Sequence, residues 1–409
     1  MNHDYMRIHN MSQMFDIIRS GDKLCTKREL QKATRLSWAA VSDATSELMG
    51  RGFIVEIDST AKSGAGAGRP SKLYDIASDK NLLVGVDINT ESLRIAVIDL
   101  KCRVVHSKSI MVTDTERDAV LSAVKKLIEE AVNMPNIGKE NIAGIGFALM
   151  SSVDAKNGVA RYSPHFKNWR DVKIKEIFEA EFGLPVLVEH DPNCFALAEQ
   201  NIGAGKNISN IILLRLSLGI GMGMILNGRI YRDTSGNAGE FGHICMDRNG
   251  PVCSCGKRGC IEIYASVSGI AARYRESLRN SPDYNGIDDR SVDDDIAIFY
   301  KLARAAASGD ALAEQYFDKA AEMLGLGFGM LITLMNPDKI VISGMFEEFP
   351  PSCLEKIKQI IQDTSWQYSS SEIMTSKLGK TATAIGAAAL FIQHSVWEDL
   401  FRANGNYAQ

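Results

Sequence analysis

The sequence of 409 residues contains no long hydrophobic run. Its longest uncharged apolar stretch, Met323–Met335, has 13 residues and includes three glycines, whereas about 20 apolar residues are needed to cross a bilayer. The N-terminal residues also lack the basic segment and apolar segment of a secretory signal. We therefore expect no membrane association and a cytoplasmic location.

A strong net charge is also missing, since the formal charge is −4 at pH 7. This excludes a uniformly basic protein that coats nucleic acid. The charge is nevertheless uneven, because residues 1–78 contain 11 Lys and Arg against 9 Asp and Glu, whereas the remainder contains 35 against 41. A mildly basic N-terminal segment on an acidic body favours DNA binding by that segment.

The N-terminal segment, residues 1–78, has the pattern of a winged helix-turn-helix domain. Thr26 and Glu29 form a capping-box pattern, Ser37 is a second N-cap candidate, and Gly50 and Gly52 end the helix that follows. A glycine-rich loop, Ser63–Pro70, then separates two short strands. The predicted helices are Met6–Ile18, Lys27–Ala33 and Ser37–Met49, and the predicted strands are Phe53–Ile57 and Ser71–Ile76.

The third helix begins with small or hydroxyl-bearing residues, which allow a helix to enter a major groove. Arg69, between Gly68 and Pro70, is expected to enter the minor groove. Trp38 is either a DNA contact or a packing residue between helices. The carboxylate of Asp43 would repel phosphate, so this side chain should face a base, a partner or solvent. The alternative is a helical docking domain with a small-residue surface. The predicted DNA-binding residues are Ser37, Trp38, Ala39, Ser42, Asp43, Ser46 and Arg69.

The rest of the chain alternates strands and helices, which predicts an α/β body. We expect one lobe from residues 79–200 with 380–400, and a second from residues 201–379. Gly219–Gly223 follows a strand and is either a phosphate-binding loop or a strand-to-turn transition. Predicted elements of this body include strands Leu82–Asn89, Leu93–Leu100, Val104–Met111, Ile142–Leu149 and Ile211–Leu216, and helices Asp118–Asn133, Val172–Phe182, Ala320–Met335 and Thr383–Gln393.

Three of the eight cysteines lie within eight residues, which in a cytoplasmic chain indicates metal binding rather than disulfides. Together with an upstream histidine they form a complete tetrahedral set for Zn²⁺, and four protein ligands leave no open position, so the zinc is expected to be structural. The alternative is a reduced cysteine-rich turn, and Cys245 is expected to be a spare thiol. The predicted ligands are His243, Cys253, Cys255 and Cys260.

The segment Glu240-x-Gly242-His243 followed by Cys253-x-Cys255-Gly256-x-x-Gly259-Cys260-x-Glu262 resembles the signature of the ROK family (repressors, open reading frames and kinases). The resemblance covers about residues 80–395, and the winged head with Gly68-Arg69-Pro70 extends it to the repressor branch. It implies a two-lobed, actin-like body of the ribonuclease H-like or hexokinase type, with a sugar site between the lobes.

The same resemblance implies which residues bind the sugar. Asp191 matches the base that deprotonates the sugar in the kinases, and His190 stands where the kinases have Asn. Glu240, His243 and Glu262 match residues that hold sugar hydroxyls. From the residues alone, Asp191 is alternatively a helix cap, and both glutamates alternatively support the zinc loop.

The sequence departs from the kinase pattern in four respects, because the glycines after the first-strand aspartate are missing, Glu91 stands near the threonine of that turn, and two further segments differ. The kinases carry Gly-Gly-Thr after the first-strand aspartate, whereas here Asp87 is followed by Ile88-Asn89-Thr90-Glu91-Ser92. Side chains at glycine positions block the close backbone approach to phosphates. Leu218 replaces a threonine, and Met150-Ser151 replaces Pro-Gly. We therefore predict no catalytic residues and no enzyme activity, with Asp191 left as a sugar-hydroxyl acceptor at the former base position.

These observations predict a sugar-responsive transcriptional regulator, most simply a repressor, that binds operator DNA as a homodimer or homotetramer. The effector is expected to be a sugar or sugar phosphate. The alternatives are a hexokinase with a DNA-binding head, and a body that senses a protein partner. The C-terminal segment Ile392–Phe401 has apolar residues at helical spacing, which predicts either an oligomer interface or ordinary core. These residues are Val396, Trp397, Leu400 and Phe401.

Overall fold

The chain divides into two compact units, which we call the first unit (Met1–Ile202 with Gly379–Gln409) and the second unit (Gly203–Leu378). No helix in the described part of the chain is long and apolar enough to cross a membrane. The structure, a computed structural model, describes residues 3–21, 23–57, 72–206, 208–233, 238–279, 294–367 and 370–393.

The first unit begins with three helices and a small antiparallel sheet, which together we call the head. The sheet has the strand order β1-β3-β2. This is the predicted winged helix-turn-helix, although the loop at the wing tip, with Arg69, lies outside the described residues. The elements are α1 (His3–Ser20), β1 (Cys25–Thr26), α2 (Lys27–Thr34), α3 (Trp38–Gly50), β2 (Ile54–Ile57) and β3 (Leu73–Ile76).

Local signals in the head produce the predicted helix starts. The Thr26 side chain accepts from the Glu29 backbone while the Glu29 carboxylate accepts from the Thr26 backbone, so the capping box is complete. The backbone N–H and the hydroxyl of Thr26, which both donate to the Glu29 carboxylate, lower the pKa of Glu29. The helices enclose an apolar core in which the Phe15 and Phe53 rings meet edge to face at 5.9 Å.

A five-stranded mixed sheet follows, with the order β11-β7-β4-β5-β6 and parallel pairing at β11–β7 and β7–β4. A second small sheet has the order β10-β9-β8. The elements are β4 (Leu82–Ile88), β5 (Ser92–Ile98), β6 (Val104–Met111), α4 (Arg117–Val132), β7 (Ile142–Leu149), β8 (Ser152–Asp154), β9 (Val159–Tyr162), β10 (Arg170–Val172), α5 (Ile174–Phe182), β11 (Val186–His190) and α6 (Asp191–Ile202).

The second unit is built on another five-stranded mixed sheet, with the order β14-β13-β12-β15-β16. Phe299, Phe317 and Phe349 pack against one another in its core. The elements are β12 (Ile211–Leu216), β13 (Ile220–Leu226), β14 (Arg229–Ile230), α7 (Ile261–Ala265), α8 (Val267–Arg279), α9 (Asp295–Ala307), α10 (Ala311–Met335), β15 (Lys339–Gly344), α11 (Ser352–Thr364) and β16 (Glu372–Thr375).

The chain then returns to the first unit as α12 (Ala382–Ala389). Two glycines permit close backbone contact there. A Cβ on Gly85 of β4 would lie 1.8 Å from the Ala384 carbonyl oxygen, and one on Gly386 would lie 1.6 Å from the carbonyl oxygen of Cys194 in α6. No larger side chain fits at these positions, so α12 is packed tightly between the sheet and α6.

Several predicted boundaries are wrong. Helix α10 begins at Ala311 rather than Ala320, because Asp310 caps it by accepting from the Ala313 backbone. Val172 belongs to β10, and α5 starts two residues later. After α12, residues Leu390–Ile392 form a 3₁₀ turn rather than continuing the helix to Gln393. The C-terminal residues with helical spacing, Val396, Trp397, Leu400 and Phe401, lie outside the described residues.

Candidate functional site

One histidine and three cysteines of the second unit converge on a single point. The potential ligand atoms of His243, Cys253, Cys255 and Cys260 all lie within 4.8 Å of one another. The Nδ1 atom of His243 is 3.7 Å from the Cys253 Sγ, and the Sγ atoms of Cys255 and Cys260 are 3.7 Å apart. A tetrahedral zinc site has S···S edges of about 3.8 Å, so the donor set and its spacing fit that metal.

Two glycines shape the loop that presents the thiols. Gly256 and Gly259 have positive φ angles of 82° and 63°, and a Cβ at Gly259 would lie 1.7 Å from the Asp247 carbonyl oxygen. The Cys253 backbone N–H donates to the carbonyl of Lys257 at 2.7 Å. The loop therefore brings Cys253 and Cys255 close together.

The thiols have different environments. A backbone hydrogen bond from Lys257 lowers the pKa of Cys255, which favours its thiolate. Burial raises the pKa of Cys260 to about 12 in the metal-free protein, because a buried thiolate without a cation is costly. Cys245 is exposed and lies outside the converging set, although its backbone forms an isolated bridge with Cys260.

Two carboxylates adjoin this cluster. The exposed Glu240 places an Oε2 atom 3.8 Å from the Nε2 of His243, the ring nitrogen that faces away from the cysteines. Glu262 joins two segments, because its Oε1 accepts from the Ser254 hydroxyl at 3.0 Å and its Oε2 accepts from the Ile220 backbone at 3.2 Å. Glu262 thus has the contacts of a residue that supports the zinc loop.

The other two predicted sugar residues, His190 and Asp191, lie in the first unit at the junction of β11 and α6. Their side chains approach to 3.5 Å between His190 Nε2 and Asp191 Oδ1, with Asp191 largely buried and His190 half-buried. The preceding Glu189 accepts from the His190 backbone at 2.9 Å and from the Asn193 amide at 3.0 Å. Asp191 is the first residue of α6, so it lies at the positive end of the helix dipole.

The turn between β4 and β5 is occupied by its own side chains. The Asn89 Oδ1 accepts from the backbone N–H groups of Glu91 and Ser92, both at 3.0 Å. The Asn89 amide and the Arg94 guanidinium each donate to the Asp87 Oδ2 at 3.0 Å. The turn therefore uses two backbone donors internally, and Asp87 is buried in a charge pair.

The glycine-rich segment after β12 is mostly strand. Gly221 and Gly223 lie within β13 and pair with Arg215 and Leu213 of β12. Only the connection around Leu218 is a turn, closed by a 2.8 Å hydrogen bond from the Ser217 backbone to the Gly219 carbonyl. The segment is therefore the turn and second strand of a β-hairpin.

The first turns of α3 present a mostly exposed face. Ser37 caps the helix by accepting from the Ala40 backbone at 3.2 Å. Trp38 is 52% exposed, so it does not serve as a packing residue between helices of the described head. Ser42 is half-buried and accepts from Lys27 Nζ at 3.1 Å. The remaining predicted residues on this helix are all exposed: Ala39, Asp43 and Ser46.

Two features of the first unit escaped sequence reasoning. The exposed basic residues Arg28, Lys32 and Arg35 lie on or directly after α2, and their helical spacing was the available signal. A pocket of about 880 Å³ has no sequence signal, since it joins the start of α4 to the segment 162–170. Trp169 is one of the residues that line it, and the buried indole N–H of Trp169 has no hydrogen-bond partner among the described residues.

Comparison with known proteins supplies a family context. The ROK family model matches residues 83–394. The xylose repressor of Caldicellulosiruptor bescii is 27% identical over 378 residues, which are 91% of this chain and 92% of the relative. The DNA-binding transcriptional dual regulator NagC of Escherichia coli is 29% identical over 88% of this chain and 87% of the relative.

Solved structures that are similar to this chain include a transcriptional regulator and a hexokinase. A ROK family transcriptional regulator, described as a homologue of the E. coli MLC protein, is 25% identical, covers 98% of both chains and has a TM-score of 0.81. A ROK hexokinase from Thermus thermophilus is 26% identical and has a TM-score of 0.66, over 79% of this chain and 100% of that one. The hexokinase match thus leaves about a fifth of this chain uncovered.

Proposed function

This chain belongs to the ROK family, and on that basis we propose that it is a sugar-responsive transcription repressor that binds operator DNA through its head. The observation that carries this proposal is the winged helix-turn-helix with an exposed α3 face. The similarity to the xylose repressor, which extends over 91% of the chain, supports it. The domains we propose are residues 1–78, residues 79–200 with 380–400, and residues 201–379.

The proposed DNA contacts follow from exposure and charge. The exposed side chains of Trp38, Ala39 and Ser46 lie at the start and along one side of α3, where a recognition helix meets base edges. Arg28 and Lys32 on α2 supply positive charge for phosphates. Ser37, Ser42, Asp43 and the wing residue Arg69 complete the proposed DNA-binding set.

We propose that the effector is a sugar or sugar phosphate. A histidine that binds a metal through Nδ1 carries its proton on Nε2, so His243 would donate to a sugar hydroxyl while Glu240 and Glu262 accept. The Asp191 side chain, beside His190, would accept from another hydroxyl. The proposed sugar residues are His190, Asp191, Glu240, His243 and Glu262.

We also propose a structural zinc ion. His243, Cys253, Cys255 and Cys260 would hold it, and the ion would supply positive charge and a cross-link between the Phe241–His243 turn and the cysteine loop. The cysteines of the described loop form no disulfide. Its stability would therefore depend on the metal.

We propose that the protein is not a sugar kinase. The backbone donors of the β4–β5 turn are used by Asn89, and Asp87 is paired with Arg94. A triphosphate at this turn would compete with those bonds and meet the Glu91 carboxylate. The kinase alternative is therefore disfavoured, despite the likeness to a hexokinase structure.

Operator recognition suggests the assembly and the location. Winged and other helix-turn-helix proteins bind two half-sites one helical turn apart as dimers, so we propose a homodimer or homotetramer. A protein that binds operator DNA works in the cytoplasm of a bacterium, and we propose that location. A protein partner that also binds the body is compatible with this account.

The test is selection of duplexes from a randomised pool on the full-length protein, followed by fluorescence anisotropy at fixed salt. We expect one enriched duplex with two half-sites. Ser46→Asp on α3 should abolish specific binding, whereas the matched Ser107→Asp on the exposed side of β6 should not. A pool without enrichment, or equal binding by both variants, would contradict DNA recognition by α3.

A further inference from the structure

We propose that Arg19 and Lys101 are positioning residues that fix the head on the body of the first unit, and that α6 connects this joint to Asp191. We call the residues Arg19, Asp75, Lys101 and Asn201 the head joint. The inference rests on the proposed function, because it explains how an effector at Asp191 would change DNA binding. Its contacts all lie within the first unit.

The first contact of the head joint connects two helix ends. Arg19 in the last turn of α1 donates from Nη1 to the Oδ1 of Asn201 at 2.9 Å. Asn201 is the next-to-last residue of α6, and its own amide donates to the Leu197 carbonyl at 2.8 Å. That second bond fixes the amide orientation, so its oxygen is directed at Arg19.

The second contact comes from the turn between β5 and β6. Lys101 Nζ lies 2.5 Å from the Asp75 carboxylate in β3 and 3.3 Å from the carbonyl of Gly21, directly after α1. Both side chains of the ion pair are largely buried, so salt screens the pair less than an exposed one. Asp99 builds the turn by accepting from the backbones of Lys101 and Arg103 at 2.8 and 2.9 Å.

Helix α6 carries a displacement from one end to the other. Asp191 is its first residue and Asn201 its eleventh, so about 15 Å separate them along the axis. An α-helix is held by its own backbone hydrogen bonds, and the backbone of α6 at Cys194 also lies in close contact with Gly386 of α12. A ligand that draws Asp191 toward itself would therefore shift Asn201 as well.

Inside the head, α1 is coupled to the recognition helix. Glu47 of α3 accepts from Arg7 of α1 at 2.6 Å and from Arg51 at 2.5 Å, and both helices share the apolar core around Phe15. A movement of Arg19 would thus turn the head as one body rather than unfold it. For a dimer that binds two half-sites, such a turn changes the spacing of the two recognition helices.

The test uses the full-length protein without effector and three variants. Asn201→Leu removes the acceptor, and Asn201→Asp keeps an acceptor for Arg19. Lys108→Met breaks the exposed Lys108–Glu130 pair elsewhere in the first unit and is the matched control. The readouts are hydrogen exchange of residues 15–21 by mass spectrometry, and affinity for the duplex selected on the wild type.

We expect Asn201→Leu to speed exchange in the last turn of α1 by about fivefold or more, and to weaken duplex binding about tenfold, because an unfixed head loses preorganisation. The other two variants should match the wild type. If Asn201→Leu gives wild-type exchange and affinity, or if Asn201→Asp is as impaired as Asn201→Leu, the joint is not what positions the head.

If Asn201→Leu does not fold, Lys101→Met with Lys101→Arg as its rescue tests the same joint from the second contact, with the same expected changes. Lys101→Met indistinguishable from the wild type would overturn the proposal. If the wild type selects no duplex, the proposed function fails, whereas the exchange measurement still decides whether the head is fixed by these residues.

Discussion

The guanidinium of Arg94 donates to the Asp87 carboxylate at 3.0 Å in the five-stranded sheet of the first unit, and both residues are buried. The same carboxylate oxygen accepts from Asn89, which in turn closes the β4–β5 turn. This network of side-chain hydrogen bonds therefore fixes the β4–β5 turn next to a buried charge pair.

Breaking the pair should be costly. We expect Arg94→Met to lower the free energy of unfolding by about 3 kcal/mol, because it leaves the Asp87 carboxylate buried without its guanidinium. Urea denaturation measures the loss. Lys108→Met, which breaks an exposed pair, should cost less than about 1 kcal/mol, and equal costs for both variants would show that burial does not decide the effect.

The protein should neither hydrolyse ATP nor transfer a phosphate group from ATP to a sugar. We expect no ADP above the protein-free rate when Mg-ATP is mixed with D-glucose, D-xylose or N-acetylglucosamine, because the turn donors are occupied by Asn89. A coupled assay for ADP measures this. Sugar-dependent ADP production by the wild type, abolished in Asp191→Asn, would establish a kinase.

Zinc should be tightly bound and needed for folding of the cysteine loop. We expect one zinc per chain by elemental analysis of the wild type, and loss of the metal with a lower melting temperature or insoluble protein in Cys255→Ser. Cys245→Ser is the control, because that thiol is exposed and outside the cluster. A soluble, metal-free Cys255→Ser protein with wild-type stability would contradict a structural metal.

Trp38 should contribute to DNA binding and little to stability. We expect Trp38→Ala to weaken binding to the selected duplex by at least fivefold without changing the melting temperature by more than about 2 °C, because its side chain is already half in solvent. Trp366→Ala in the second unit, 62% exposed, is the matched control. If Trp38→Ala binds the duplex with wild-type affinity, Trp38 is not part of the DNA interface.

Arg69 gives a separate prediction for the wing. We expect Arg69→Ala to weaken duplex binding and to reduce the slope of log affinity against log salt by about one, because one cation is lost from the DNA interface. Affinities measured across a salt series test this. Arg161→Ala, an exposed arginine of β9, is the control, and unchanged affinity of Arg69→Ala at matched salt would argue against insertion of the wing.

Much of this architecture follows from local sequence. The caps at Thr26 and Ser37 fix the helix starts of the head, and the spacing of Cys253, Cys255 and Cys260 determines the metal loop, because both effects act over a few residues. The short strands β8–β10 were missed, since three or four residues carry too little periodicity. The contact between Arg19 and Asn201 joins residues 182 positions apart, and no local pattern encodes such a pairing.

Asp191 should be needed for the effector response and not for DNA binding. We expect Asp191→Asn to bind the selected duplex like the wild type, because the substitution lies in α6 and keeps the side-chain volume. The same variant should no longer respond to the sugar, since it replaces a carboxylate acceptor by an amide. Anisotropy with and without the sugar measures both, and a retained response would move the effector site away from Asp191.

The central claim is that a sugar controls DNA binding. The most direct measurement is anisotropy of the wild-type complex with its selected duplex, titrated with D-xylose, D-glucose, N-acetylglucosamine and their phosphate esters. We predict that one of these compounds releases the duplex while Asp191→Asn stays bound. An affinity unchanged by every compound of the panel would contradict a sugar-responsive repressor and favour a protein partner as the signal.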